Sequence, residues 1–173
     1  MDEKFLRGVQ DFGANALSVS VVRRMGPEGT LDSIRDFIKK RIDLREVSTA
    51  DPSEYRSVLD ELTDKLRSRM PSGARHWGVA RKCLNLFFRD ALYNFYLRQT
   101  YDLAKFERHL EIPLDSYVGR ALWLEDRRLP RWRTVKGLTP KESEKFQEVA
   151  SQVAERNGTH RVHLDVIYWR GNL

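Results

Sequence analysis

Apolar residues recur at the spacing of an α-helix along almost the whole chain. In TLDSIRDFIKKRI the apolar side chains fall on one helical face, behind Thr30 as the expected N-cap. That face consists of Leu31, Ile34, Ile38 and Ile42. The segment SEYRSVLDELTDKLRSRM has the same pattern and ends at Pro71, Ser72 and Gly73. Both segments are therefore predicted to be amphipathic helices.

The segment TPKESEKFQEVASQVAERNG carries the most complete set of helix signals in the chain. Thr139 is the expected N-cap, Pro140 occupies the first helical position and Glu142 completes a capping box. Gly158 then ends the helix. Further helices are predicted over residues 3–24, 79–99 and 102–110 and in the segment PLDSYVGRALWL.

The last segment, HRVHLDVIYWRGN, is ambiguous. Its β-branched and aromatic residues suit a strand, but a lone strand in a helical chain would have no partner, so we predict a final helix. The predicted fold is all-α, a compact bundle of about seven or eight helices. We expect a single domain that spans residues 1–173.

The composition is that of a globular protein, since 40% of the 173 residues are hydrophobic and 32% are charged. No apolar run approaches the ~20 residues that span a bilayer, and the acidic start MDEKF does not resemble a signal peptide. We therefore expect a cytoplasmic protein with no membrane partner. The one cysteine, Cys83, excludes an internal disulfide and a cysteine-ligated metal cluster. The net charge of +6 and the pI of 9.6 favour a polyanionic partner.

The stretch HWGVARKCLNLFFRD places Lys82 near the start of a helix whose circumference is mostly apolar. At about 100° per residue, the face that carries Lys82 also carries Leu86, Arg89 and Tyr93. This mixture is typical of one wall of a cleft. A lysine at this position can also extend to solvent from the first helical turn, and both interpretations stay open.

Two motifs suggest a chemical function for the stretch that contains Lys82. Gly-Val-x-Arg-Lys at 78–82 is followed by Pro-Leu-Asp-Ser-x-Val at 113–118. Together they resemble the helix-hairpin-helix superfamily of DNA glycosylases, although Ala80 stands where that family usually has glycine. The resemblance covers mainly residues 73–122. It implies an all-α fold with a cleft between two helical lobes, binding of double-stranded DNA, flipping of a modified base and cleavage of its N-glycosidic bond.

By this resemblance, Lys82 is the nucleophile that attacks C1′ of the nucleotide, which also permits abasic-site lyase activity. Asp115 is the carboxylate that activates Lys82 and stabilises the developing sugar cation. From the residues alone, Asp115 or Ser116 can equally be the N-cap of the following helix. The resemblance implies no cofactor and no metal, and we assign no metal site to His160 and His163.

The 33 residues between Lys82 and Asp115 resemble the spacing in the archaeal 8-oxoguanine glycosylase branch. In that branch an aspartate and a tryptophan four residues apart line the base pocket. Asp165 and Trp169 have this spacing here, and with Leu86 they are the expected pocket residues. A likeness to bacterial glycosylases that attack modified phage DNA leaves two substrate classes open, an oxidised or otherwise damaged base and a phage-type modified base.

Two basic segments are expected to contact DNA. In the first, the backbone amides around 78–80 are suited to a phosphate and Trp77 packs under the turn or wedges into the duplex. In the second, arginines and a lysine alternate with Trp132 in RRLPRWRTVKGL, which can also be a solvated linker. The expected DNA contacts are Arg75, His76, Trp77, Gly78, Val79, Ala80, Arg81, Arg131 and Arg133.

Three functions follow from these patterns. The first is a monomeric DNA glycosylase that acts on double-stranded DNA containing a modified base. The second is a helical DNA-binding protein without enzymatic activity, whose hairpin holds a phosphate. The third is an all-α module for protein interaction whose basic charge has no role in binding.

Overall fold

The computed structural model describes residues 2–169, except for the side chain of Trp169. Within that range the chain forms nine α-helices and no strand, which confirms the all-α prediction. The helices are α1 (Glu3–Ala16), α2 (Thr30–Arg41), α3 (Leu44–Thr49), α4 (Tyr55–Arg69), α5 (Trp77–Tyr93), α6 (Phe95–Thr100), α7 (Ser116–Glu125), α8 (Pro140–Arg156) and α9 (Leu164–Trp169). Short 3₁₀ segments lie at Val19–Val22, Pro52–Glu54, Ser72–Ala74, Leu103–Phe106 and Arg161–His163.

Helix α5 lies at the centre of the fold. It packs mainly against α4 and also contacts α1, α6 and α8. Its apolar sector, which includes Leu84, Phe87 and Phe88, is buried in the single hydrophobic core. Cys83 belongs to this sector, and burial raises the pKa of its thiol to about 12. The prediction of a helix with a mostly apolar circumference is therefore confirmed.

Of the N-caps predicted for α8 and α2, the first is confirmed and the second is not. The capping box of α8 is present, because Thr139 and Glu142 exchange hydrogen bonds between their side chains and backbone N–H groups. At α2 the N-cap is Gly29, at a φ of 80°, and the prediction of Thr30 is wrong by one residue. The Thr30 hydroxyl instead donates to the carbonyl of Pro27 at 2.7 Å.

Three predicted helices are shorter than expected. The helix predicted over 79–99 is divided at Asn94, whose side chain accepts hydrogen bonds from the N–H groups of Tyr96 and Leu97 at 3.1 Å and so begins α6. The segment 102–110 contains only a 3₁₀ turn, and 3–24 forms α1 and a separate 3₁₀ turn. None of the helices in residues 2–169 is long and apolar enough to cross a membrane.

The basic loop between α7 and α8 is anchored by its apolar residues. Trp132 packs edge-on against Phe146 of α8 and lies directly over Gly119 of α7. A Cβ at Gly119 would collide with the indole, so this glycine makes the approach possible. Val135 and Leu138 are also buried. The loop is therefore part of the packed fold, with its basic residues directed outward.

Candidate active site

A cavity of about 620 Å³ brings together four of the residues predicted to act on the base. We call it the lysine cavity. Its predicted lining residues are Lys82, Leu86, Asp115 and Asp165. The 3₁₀ turn Val19–Val22, α5, the segment before α7 and α9 form its walls. These elements are distant in the sequence, so the fold creates a grouping that the motifs only suggest.

Lys82 is buried in this cavity without a counter-ion. The residue is 8% exposed, and Nζ donates one hydrogen bond, to the carbonyl of Val21 at 3.3 Å. Among residues 2–169 no carboxylate lies within 4.0 Å of Nζ. An ammonium group has three donors and is costly to remove from water unless it is paired. The Lys82 side chain does not extend into open solvent, so the surface interpretation is wrong.

Asp115 is the N-cap of α7, which confirms the N-cap prediction for this residue. Its Oδ1 accepts hydrogen bonds from the N–H groups of Tyr117 at 2.8 Å and Val118 at 2.9 Å. No described residue donates to Oδ2. The cap fixes the carboxylate at the wall of the lysine cavity, so a structural role and a chemical one are compatible.

A second cavity, of about 470 Å³, adjoins the first, and we call it the adjoining cavity. Lys82 and Asp115 line both. The other walls include Tyr117 and Arg120 of α7 and Val135 of the basic loop. Lys82 and Asp115 therefore lie at the boundary between two concave surfaces, where an extended ligand would contact both residues.

Asp165 is 2% exposed and forms an ion pair with Arg89 of α5. Arg89 also donates to Asp90 from Nε and Nη2, at 2.9 and 2.7 Å. This ion pair holds Asp165 at the wall of the lysine cavity. Arg89, for which the sequence predicted only a position on the Lys82 face, lines the cavity as well. The prediction for the side chain of Trp169 falls outside the described residues.

A hydrogen-bonded chain that ends at the lysine cavity was not predicted from the sequence. Tyr93, a lining residue, shares a 2.8 Å hydrogen bond between its hydroxyl and Nδ1 of His163. Nε2 of His163 lies 2.8 Å from Oε1 of Glu107. These residues are separated by 70 and 56 positions in the chain, so no local motif contains them.

Arg81, predicted to contact DNA, has a structural role instead. It is 3% exposed and donates to both carboxylate oxygens of Glu111, at 2.8 and 2.7 Å, and to Asp60 at 2.7 Å. Burial opposes ionisation of Glu111, but the hydrogen bonds and charge of Arg81 outweigh it and hold the pKa of Glu111 below its usual value. The prediction that Arg81 binds phosphate is wrong, because its donors are already satisfied inside the protein.

The start of α5 is covered rather than open. Val79 and Ala80 are fully buried, and a Cβ at Gly78 would collide with the carbonyl of Val135 and lie 2.8 Å from Cβ of Leu138. The prediction that the backbone at 78–80 binds a phosphate is therefore wrong, because the basic loop packs against it. Gly78 is needed for the close approach of the basic loop, not for the approach of a phosphate.

The predicted DNA contacts Arg75, His76 and Trp77 do not line the lysine cavity. Trp77 lines a third, polar cavity of about 590 Å³, where the guanidinium carbon of Arg81 lies 5.2 Å from its ring centroid. It is therefore not placed to wedge into a duplex bound at Lys82. Arg75 is exposed and donates from Nε to the carbonyl of Met70 at 2.9 Å, and His76 is half-buried. Contacts of Arg75 and His76 with DNA stay predictions.

Three of the exposed cations in the basic loop contact neither a carboxylate nor an aromatic ring within the described residues. Arg131, Arg133 and Lys136 are exposed and take part in no ion pair within the described residues. Arg128, by contrast, is paired with Asp126 at 2.7 Å, and Arg127 stacks 3.7 Å from the ring centroid of Trp123. The free charge of the loop is thus concentrated in the part next to Val135, a residue of the adjoining cavity.

No family model matches the chain, and neither a curated protein nor a solved structure matches it. The resemblance carried by GVARK and PLDSYV therefore stays a prediction. Function has to be inferred from the chemistry of the side chains around Lys82 and Asp115.

Proposed function

We propose that the protein is a DNA glycosylase that binds a flipped, modified base in the lysine cavity and cleaves its N-glycosidic bond. Lys82 is the nucleophile and Asp115 the carboxylate that supports it. The observation that carries the proposal is the buried ammonium of Lys82, which lies without a counter-ion on a wall shared with Asp115.

The energetics of Lys82 favour a functional role over a structural one. A buried cation without a partner destabilises a fold, and a leucine or methionine would fill the same space at lower cost. Groups with such environments are concentrated at active sites, where a reactive amine needs limited access to water. Hydrogen bonding to one backbone carbonyl leaves the other Nζ donors free for a ligand.

The two cavities fit the two parts of a nucleotide substrate. The lysine cavity, at about 620 Å³, lies within the ~300–1,000 Å³ typical of small-molecule sites and would take the base. The sugar would lie at Lys82 and Asp115, where the cavities meet. The DNA strand would continue past Arg120 toward the exposed cations of the basic loop.

The proposed reaction proceeds through the attack of Lys82 on C1′ of the nucleotide. The ammonium of Lys82 first loses a proton to solvent. The neutral amine then forms a bond to C1′ while the bond between C1′ and the base nitrogen breaks, and the electron pair of the broken bond leaves with the base. The carboxylate of Asp115 stabilises the positive charge that develops on the sugar and accepts a proton from the attacking amine. The bond between C1′ and O4′ then breaks, O4′ takes the proton held by Asp115, and the Lys82 nitrogen and C1′ form a protonated Schiff base, from which the DNA strand can be cleaved.

Borohydride trapping tests this proposal directly. A duplex with one abasic site is incubated with the protein and sodium borohydride, which reduces a Schiff base to a stable covalent adduct. We expect an adduct with the natural protein and none with Lys82→Gln. Lys105→Gln is the matched control, because Lys105 is exposed and donates to the carbonyl of Ser48, away from both cavities. It should trap normally.

Base release is measured on duplexes that contain 8-oxoguanine, 7-methylguanine or glucosylated 5-hydroxymethylcytosine. Asp115→Asn should slow release while the fold is retained, because asparagine is as good an N-cap as aspartate. DNA binding with neither adduct nor base release would contradict the proposal. It would favour a non-enzymatic DNA-binding protein that uses the basic loop.

A further inference from the structure

Tyr93, His163 and Glu107 form a hydrogen-bonded chain that begins at the lysine cavity. The hydroxyl of Tyr93 and Nδ1 of His163 are 2.8 Å apart, and Nε2 of His163 is 2.8 Å from Oε1 of Glu107. The rings of Tyr93 and His163 are nearly parallel, at 12°, with centroids 5.6 Å apart. Glu107 is in turn held by Arg98 at 3.3 Å. The imidazole is therefore fixed at both nitrogens.

We infer that Tyr93 is a catalytic residue that donates a proton to the departing base, and that His163 and Glu107 position and reprotonate it. This inference rests on the proposed function, because it assigns the leaving-group side of the same reaction. A base that leaves with the electron pair of the broken bond is a poor leaving group as an anion and a better one when it is protonated.

The position of Tyr93 suits this role. It lies on the wall of the cavity that contains Lys82, but at the opposite end of α5, so the two groups would approach a bound nucleotide from different sides. Burial raises the pKa of Tyr93 against the opposing positive charge of Arg89, so its hydroxyl stays protonated near neutral pH. A phenol of raised pKa donates its proton more readily when a second group replaces that proton, because no phenolate then has to form.

The chain of three side chains supplies the replacement. With His163 protonated, Nε2–H donates to the carboxylate of Glu107 and Nδ1–H donates to the oxygen of Tyr93. The hydroxyl hydrogen of Tyr93 is then free to point at the base. As the bond to the base breaks, this proton moves to the base and the Nδ1 proton moves to Tyr93. Neutral His163 remains, hydrogen-bonded to Glu107, and regains a proton from solvent.

With His163 neutral, the direction is reversed, because Nδ1 accepts the hydrogen of Tyr93 and the phenol has no proton for the base. Base release should therefore be slower with neutral His163 than with protonated His163. The titratable and charged groups that surround His163 and its partners are Tyr93, Arg89 and Asp90 of α5, Arg98 of α6, Glu107, and His160 of its own turn. Glu107 is the only carboxylate among them in direct contact with the imidazole in the described residues.

Tyr93→Phe separates this inference from the proposed function. It removes only the hydroxyl and keeps the ring that packs beside His163. We expect single-turnover base release to fall by at least about 100-fold, the scale of general acid catalysis. Borohydride trapping on abasic-site DNA, which has no base to release, should be unchanged. Tyr96→Phe is the matched control, because Tyr96 is similarly exposed, contacts Phe5 through its ring and lines neither cavity.

His163→Gln and Glu107→Gln test the rest of the hydrogen-bonded chain. Both should slow base release without changing trapping, and the ratio of the wild-type rate to the His163→Gln rate should fall as pH rises and His163 loses its proton. A merely structural role for His163 would give a ratio independent of pH.

The outcomes distinguish the two claims. If the natural protein gives neither an adduct nor base release, the proposed function fails and the inference with it. If trapping and base release occur and Tyr93→Phe releases base at the wild-type rate, the inference alone is overturned.

Discussion

Arg81 and Lys82 are neighbours on α5, and both are buried, but their surroundings are opposite. Arg81, 3% exposed, pairs with Asp60 and Glu111 in the polar cavity. Lys82, 8% exposed, faces the lysine cavity and contacts one carbonyl at 3.3 Å. Successive helical residues point about 100° apart, which is enough to place the two cations on different sides of the helix. Burial alone therefore does not separate a structural cation from a reactive one, whereas the partners do.

Replacing Arg81 should have the largest effect on stability. Arg81→Met leaves Glu111 buried without its counter-ion, and breaking a buried pair in this way costs about 3–5 kcal/mol. The free energy of unfolding is measured by urea denaturation at neutral pH. Arg67→Met is the control, because Arg67 is exposed and its contact with Asp64, at 3.3 Å, should contribute less than about 1 kcal/mol. Equal effects of the two substitutions would show that the Arg81 network is not structural.

The packing at the start of α5 gives the next largest effect. Gly78→Ala places a methyl group against the carbonyl of Val135, and relief requires a backbone shift that costs about 1–3 kcal/mol. Gly8→Ala in α1, where no atom lies within 4 Å of the added Cβ, should instead stabilise the helix by about 0.5–1 kcal/mol. If Gly78→Ala were stable and showed only weaker DNA binding, the start of α5 would be a phosphate site after all.

The basic loop can be compared with α4, a helix that lines the polar cavity but not the lysine cavity. The double substitution Arg131→Glu and Arg133→Glu should weaken binding to duplex DNA and reduce the salt slope by about 1 for each phosphate that is no longer neutralised. Lys65→Glu with Arg67→Glu changes the net charge equally and should have a smaller effect on the slope. Equal slopes for both variants would remove the loop from the DNA-binding surface.

Lys82→Met should have the smallest effect on the fold, and of opposite sign to Arg81→Met. It removes a buried charge without a partner and fills the same volume, so the free energy of unfolding should rise by about 1 kcal/mol. Differential scanning calorimetry measures the change. A fall in stability comparable to that of Arg81→Met would mean that the Lys82 ammonium is structural.

The helical pattern and the helix caps were predictable because they depend on residues close together in sequence. Thr139 and Glu142 are three residues apart, and both ends of their capping box can be read directly. The break at Asn94 follows the same local rule, since its side chain caps the N–H groups two and three residues later. It was missed because the apolar pattern continues through it.

The environment of each cation was not predictable, because it depends on contacts between distant segments. Asp60 and Glu111, the partners of Arg81, lie 21 and 30 residues away from it. The loop that covers Gly78 likewise comes from a distant part of the chain. A sequence motif contains only residues that are close together in the chain. The fold determines which charged residues find an ion-pair partner and which do not.

Mapping the residue that carries the trapped sugar tests the central claim most directly. After borohydride trapping on abasic-site DNA and nuclease digestion, the adduct is cleaved with trypsin and analysed by mass spectrometry. Trypsin cuts after Arg81 but not after a modified lysine, so we predict a peptide spanning 82–89 that carries the reduced sugar on Lys82. A sugar found on another lysine, or on the α-amino group, with 83–89 unmodified, would contradict the assignment of Lys82 as the nucleophile.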